Sequence, residues 1–188
     1  RRLADQRHSI EMLLGAGDPD GDRGDLHSRW RSLLHHLQAT AAASRGDLET
    51  AIAGWRQALE ANPQDARCRQ HLIHALAERG NRDWQAGRIE NAVAAWVEAR
   101  QRGGQDPSLL RRLALGYERL ERWHEANQCW EDYLRLCPDG EPAAPKGAVL
   151  LAMAANAVRA GHRDDAQKLL ARAMRALDER PEDRKSVV

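Results

Sequence analysis

Phenylalanine is absent from this chain of 188 residues, tyrosine occurs twice and lysine three times, at Lys146, Lys168 and Lys185. Val, Ile and Thr are sparse as well, so the residues that favour a pleated, half-buried surface are in short supply and a strand-built domain is excluded. No apolar run approaches the roughly 18 residues of a membrane span, and no signal peptide is visible. The three cysteines, Cys68, Cys129 and Cys137, cannot all pair and show no CxxC spacing, so neither a disulfide framework nor a cysteine metal site is indicated. They read as small buried hydrophobes. The formal net charge is +1, and that balance demands neither a nucleic acid nor an anionic membrane.

What the chain does contain is Ala, Leu, Arg, Glu and Gln, the residues that lose least on entering a helix. The fold class is therefore all-α. Ala and Leu must bring the helices close together, with six Trp as the large fillers. The bias of Arg over Lys has two readings: bidentate recognition of carboxylate or phosphate, or a GC-rich coding sequence.

The tryptophans carry the organisation. Trp55, Trp96 and Trp130 each lie four residues after an alanine (Ala51, Ala92, Ala126) and three before Ala58, Ala99 or Tyr133. A fourth stretch, "GHRDDAQKLLARAM", repeats the frame with Ala166, Leu170 and Ala173. Trp55, Trp96, Trp130 and Leu170 are thus the expected packing residues. Self-similarity on this scale is the mark of a stacked helical array. Trp96 and Trp130 are 34 residues apart, with Leu110, Leu113, Ala114 and Tyr117 on one helix between them and Pro138 closing the unit. This pattern resembles the tetratricopeptide repeat, with Ala for the usual Gly and Trp for the usual Phe.

The resemblance covers about residues 32–180 and implies a right-handed α-α superhelix of four helical hairpins: 32–65, 66–106, 107–140 and 147–180. Residues 1–31 are expected to hold an N-terminal helix and the acidic Gly/Asp linker "GAGDPDGDRGD", with the next helix starting near Asp25 or Ser28. Residues 181–188 are expected to form a tail. The Pro-rich "GEPAAPKG" accounts for the 40 residues between Trp130 and Leu170 and reads as a loop.

Trp55 and Trp96 are 41 residues apart, an excess of seven over the 34-residue period. Seven residues return nearly to the same helix face and add about 10 Å of length. The first helix of the second unit can therefore be two turns longer without rotating its packing stripe. Gly87 is then the turn, equivalent to Gly46 and Gly161, and Gly80 a close-approach point inside the helix. The alternative, a turn at Gly80, strands Trp84 in a linker.

Chemistry is hard to find. His71 and His74 share a helix face but have no further ligand nearby in sequence, and "DPDGDRGD" lacks the Gly and Glu of an EF-hand loop, carrying Arg23 and Arg29 there. There is no nucleophile elbow, phosphate loop or HExxH. No catalytic residue, metal site or cofactor is assigned, and the chain does not read as an enzyme. The resemblance implies instead a concave face lined by the first helices, where protein partners bind. Its candidates are His36, Thr40, His74, Asn81, Trp84, Arg111, Leu115, Glu118 and Arg159. The family's Lys/Asn clamp for a peptide carboxylate is not expected, because the matching places carry His36, Thr40, Glu78 and Arg112.

The functional expectation is a protein-interaction module, a scaffold or adaptor, for a protein or peptide partner that is acidic if the arginines are used. The rival readings are a recruiting segment of a larger enzyme and an Arg-rich RNA-binding repeat. Leu169, Leu170, Ala173, Met174 and Leu177 form an apolar stripe on the last helix, which suggests self-association there. The chain starts at Arg1 without an initiator methionine, so a piece of something longer, placed in the cytoplasm, is expected.

Overall fold

The computed structural model describes residues 22–178. Within them the chain is all-α apart from one short ladder. The helices are α1 (Asp22–Ser44), α2 (Leu48–Ala61), α3 (Ala66–Gln85), α4 (Ile89–Gln101), α5 (Pro107–Arg119), α6 (Trp123–Leu136), α7 (Lys146–Arg159) and α8 (Arg163–Asp178). They form consecutive antiparallel hairpins, α1/α2, α3/α4, α5/α6 and α7/α8. The chain divides into two compact units, one ending at Ala75 and the other beginning at Leu76, so the division falls inside α3.

The hairpin turns share one hydrogen-bond pattern. Asp47, Arg88, Arg122 and His162 donate their backbone N–H to the carbonyls of Ala42, Asp83, Tyr117 and Ala157, five residues back, at 2.8–3.0 Å. The residue just before each donor adopts a positive φ: Gly46 (80°), Gly87 (75°), Glu121 (58°) and Gly161 (83°). This is the left-handed helix terminator that satisfies the last carbonyls, and glycine takes it without a steric penalty. Gly87 is thus the turn. Gly80 lies within α3, where an added Cβ would stand 2.4 Å from the indole Nε1 of Trp96.

The core follows from that frame. Ala51, Trp55 and Ala58 are buried in α2, Ala92, Trp96 and Ala99 in α4, and Ala126, Trp130 and Tyr133 in α6. In the first unit the Trp55 ring stacks on His71 of α3 at 5.3 Å and 12°. In the second unit Trp96 lies between Gly80 and Gly116. The alanines allow helices to approach, and each indole fills the space between its own hairpin and the next.

Three findings differ from the sequence expectations. Helix α1 starts at Asp22, before Asp25 and Ser28, and at 23 residues it is longer than α3, which has 20. The "GEPAAPKG" segment is not wholly loop: Gly140–Glu141 pairs antiparallel with Ala144–Pro145. Tyr133 holds this ladder, its hydroxyl donating to the Ala144 carbonyl at 3.0 Å and accepting the Glu141 N–H at 2.9 Å. Leu170 is the third correction. It is 43% exposed, and Ala166, Leu169 and Ala173 form the buried face of α8. The position of Leu170 matches that of the tryptophans, which face a following hairpin, and no described helix follows α8. The expected helix of residues 1–14 and the tail after 181 lie outside the described residues.

Candidate functional site

The second unit brings six of the sequence candidates around two adjoining hollows. The C-terminal half of α3 presents Asn81 and Trp84, α5 presents Arg111, Leu115 and Glu118, and α7 ends at Arg159. A hollow of about 300 Å3 is lined by Asn81, Trp84, Gln85, Trp96, Arg111, Arg112 and Leu115. A wider cleft of about 740 Å3 shares Trp84 and Leu115 and continues over Glu118, Arg119, Glu121, Trp123 and Arg159.

Trp84 is fixed from behind. It is half-buried, with its ring tilted at 41° against that of Trp96, 5.7 Å away. The extra turns of α3 place it there, and the left-handed turn at Gly87 follows at once. Leu115 is exposed, facing the same space as a second apolar contact. On the far wall the Arg159 guanidinium sits over the Trp123 ring at 5.1 Å, an arrangement that holds the cation at the rim and leaves its edge donors available. The Nε of Arg111 is buried and makes no hydrogen bond.

Glu118 has a different employment. Its Oε1 accepts hydrogen bonds from Trp130 Nε1 at 2.9 Å and from Asn156 Nδ2 at 2.8 Å. Asn156 also donates to Asn127 Oδ1 at 3.0 Å, and Asn127 to the Met153 carbonyl at 3.1 Å. This network ties α5, α6 and α7 together, so Glu118 is a structural acceptor that lines the cleft. Four arginines, Arg111, Arg112, Arg119 and Arg159, outweigh the two acids, Glu118 and Glu121, along the walls. Sequence reasoning missed Trp123, whose place after the glycine-free third turn gave no signal, and Asn156, whose partners lie 29 and 38 residues away.

His36, Thr40 and His74 belong to the first unit. His36 Nδ1 is 3.1 Å from Cys68 Sγ, and its ring is 5.3 Å from that of His71. Burial, then the neighbouring His71 charge, holds the His36 pKa below its ordinary value. Burial, reinforced by Asp65, pushes the Cys68 thiol up to about 12. This cluster is a packed joint between α1 and α3. Thr40 bonds back to the His36 carbonyl at 2.8 Å, and His74 is exposed. Among the described residues, no three His, Cys, Asp or Glu side chains come together as metal ligands. No described helix is long and apolar enough to cross a membrane.

Comparison with solved structures gives the fold. A crystal structure of MamA protein aligns over 84% of this chain and 97% of its own, with a TM-score of 0.51 and 13% identity. A mutant of MamA aligns over 77% and 96%, with a TM-score of 0.50 and 16% identity. The fold is similar to that of MamA. At such identity the likeness extends to the helical-repeat architecture alone. No family model matches the chain, and no curated protein does.

Proposed function

We infer that this chain is a protein-interaction module of tetratricopeptide type, a scaffold or adaptor without catalytic activity of its own. Its repeats are taken as 32–65, 66–106, 107–140 and 147–180, and its place of work as the cytoplasm. The groove of the second unit takes a short segment of a partner protein, acidic and carrying a large apolar side chain. One observation carries this reading: two hollows share an apolar floor of Trp84 and Leu115 between arginine-bearing walls. The apolar side chain would pack on Trp84 and Leu115, and its carboxylates would pair with Arg111, Arg112, Arg119 or Arg159.

Selection from a displayed peptide library, followed by fluorescence polarisation on the hits, tests it. Acidic peptides with one aromatic or leucine anchor are expected, weakened at least tenfold by Trp84→Ala and by Arg159→Glu. Selected peptides that bind both variants as tightly as the parent would defeat the groove assignment. Single-stranded RNA binding that falls steeply with salt and is lost in Arg111→Glu would replace the peptide by a nucleic acid.

A further inference from the structure

The first and last described helices both expose a large apolar stripe. On α1 it is Leu26, Trp30, Leu33 and Leu37, spaced four, three and four residues apart and 40–56% exposed. On α8 it is Leu170, Met174 and Leu177, spaced four and three and 39–66% exposed. Both spacings keep their side chains within one narrow strip of helix surface. Ends of helical arrays are ordinarily capped by polar faces, so two apolar ends call for a cover.

The repeat frame says what each stripe is. In α2, α4 and α6 the residues corresponding to Leu170 are Trp55, Trp96 and Trp130, all buried at the joint with the next hairpin. Leu134 of α6 and Cys137 just past its end, which correspond to Met174 and Leu177, are half-buried. Leu170 therefore occupies the outgoing slot of a joint that the chain already makes three times, and Met174 and Leu177 extend it as Leu134 and Cys137 do in the third hairpin, where the second has Arg100 and Gly103. On α1, Trp30 lies as far before the turn at Gly46 as His71 lies before the turn at Gly87. His71 is the residue that receives Trp55. Leu34 corresponds likewise to Ala75, Leu109 and Val149, which are buried, whereas Leu34 is only half-buried. Helix α1 thus carries the incoming half. Where inner first helices have His74 and Glu78, or Ser108 and Arg112, α1 has Leu33 and Leu37. On α7 the same places are Ala148 and Ala152, so among the described first helices large apolar side chains stand here only on α1.

We propose that the chain associates head to tail, the Leu170–Met174–Leu177 stripe of one copy docking on the Leu26–Trp30–Leu33–Leu37 face of a second copy. The joint reproduces the hairpin-to-hairpin packing inside the chain. It is heterologous, so each added copy offers a fresh end and growth does not close at a dimer. One helix pair buries less than the roughly 1,600 Å2 of a standard stable complex, so the association is expected to be weak and to show at high protein concentration.

Sedimentation velocity of the 188-residue chain tests this, with circular dichroism to confirm that the surface variants stay helical. The parent's average mass should rise with concentration and pass that of a dimer. Trp30→Glu and Met174→Lys should each be monomeric alone, and Leu37→Glu and Leu170→Glu should repeat the result. Mixed one to one, Trp30→Glu supplies an intact tail and Met174→Lys an intact head, so the mixture should form a dimer and stop there. A parent that stays monomeric to about 1 mM overturns the proposal. So does a mixture that stays monomeric, or one single-end variant that still associates, since that marks a symmetric contact. Trp84→Ala should assemble like the parent, which separates this joint from the groove.

Discussion

Gly80 and Trp96 are packed so closely that a methyl group on Gly80 would lie 2.4, 2.6 and 2.9 Å from three atoms of the indole. The ring cannot retreat: it is buried, its Nε1 donates to the Ala77 carbonyl at 3.3 Å, and Trp84 and Gly116 lie beside it. Alanine would raise helix propensity by about 1 kcal/mol, but overpacking against a rigid ring costs on the order of 1–3 kcal/mol. Because Trp96 supports Trp84, displacement of the ring also reaches the groove floor. Gly80→Ala should lower stability in urea unfolding by up to about 2 kcal/mol net and alter the near-ultraviolet dichroism of the tryptophans. A more stable variant with an unchanged spectrum would contradict this packing.

Glu121 gives a prediction of opposite sign. It alone among the four hairpin turns places a side chain at positive φ. The left-handed conformation costs a non-glycine residue about 1 kcal/mol, and none of the hydrogen bonds at that turn uses its side chain. Glu121→Gly should therefore stabilise the fold by about 0.5–1 kcal/mol, read as a rise in the urea midpoint. Glu121→Val should lower it.

Glu118→Ala removes the acceptor of Trp130 Nε1 and one of the two acceptors of Asn156 Nδ2. Leaving buried donors unpaired costs about 1–3 kcal/mol, so the variant should lose stability with no ligand present. Glu118→Gln keeps one oxygen acceptor and should retain most of it. Equal stability of Glu118→Ala and the parent would return Glu118 to the role of a free surface charge.

The joint between α1 and α3 has a pH signature. Burial and the His71 charge depress the folded-state pKa of His36, so below about pH 6.5 the unfolded chain binds more protons at this site than the folded one. Stability is then fully present above that pH and declines as pH falls through it. His36→Gln should flatten that part of the profile of urea midpoint against pH.

In the same joint Cys68 is pushed up to about 12, and in α6 burial pushes Cys129 up to about 11. Both thiols should resist alkylation at neutral pH in the folded chain and react only once it unfolds. Rapid labelling of Cys68 in native protein would contradict its burial.

The frame of alanines around Trp55, Trp96 and Trp130 was legible because packing between close helices demands small residues at fixed spacing. Gly87 could be told from Gly80 by the same frame. Leu170 was not legible, since whether a slot residue is buried depends on the helix that comes after it. Glu118 looked like a groove charge because Asn156, the residue that claims it, lies 38 positions away in sequence. The third turn left no trace, as Glu121 has no glycine's signature. Tyr133 stands where the other hairpins have alanine, and its meaning appears only with the ladder it grips. Of the groove, the apolar members were readable from periodicity, while the engagement of each charge required the fold.

The ladder held by Tyr133 has a practical use. Residues Pro142 and Ala143 at its tip are exposed, and the strands beneath them are fastened by one phenol oxygen that both donates and accepts. Added length there leaves both neighbouring helices in register, whereas the earlier surplus of residues was absorbed as turns of α3. A fluorophore or affinity tag inserted between Pro142 and Ala143 would report on either neighbouring hairpin without entering the groove.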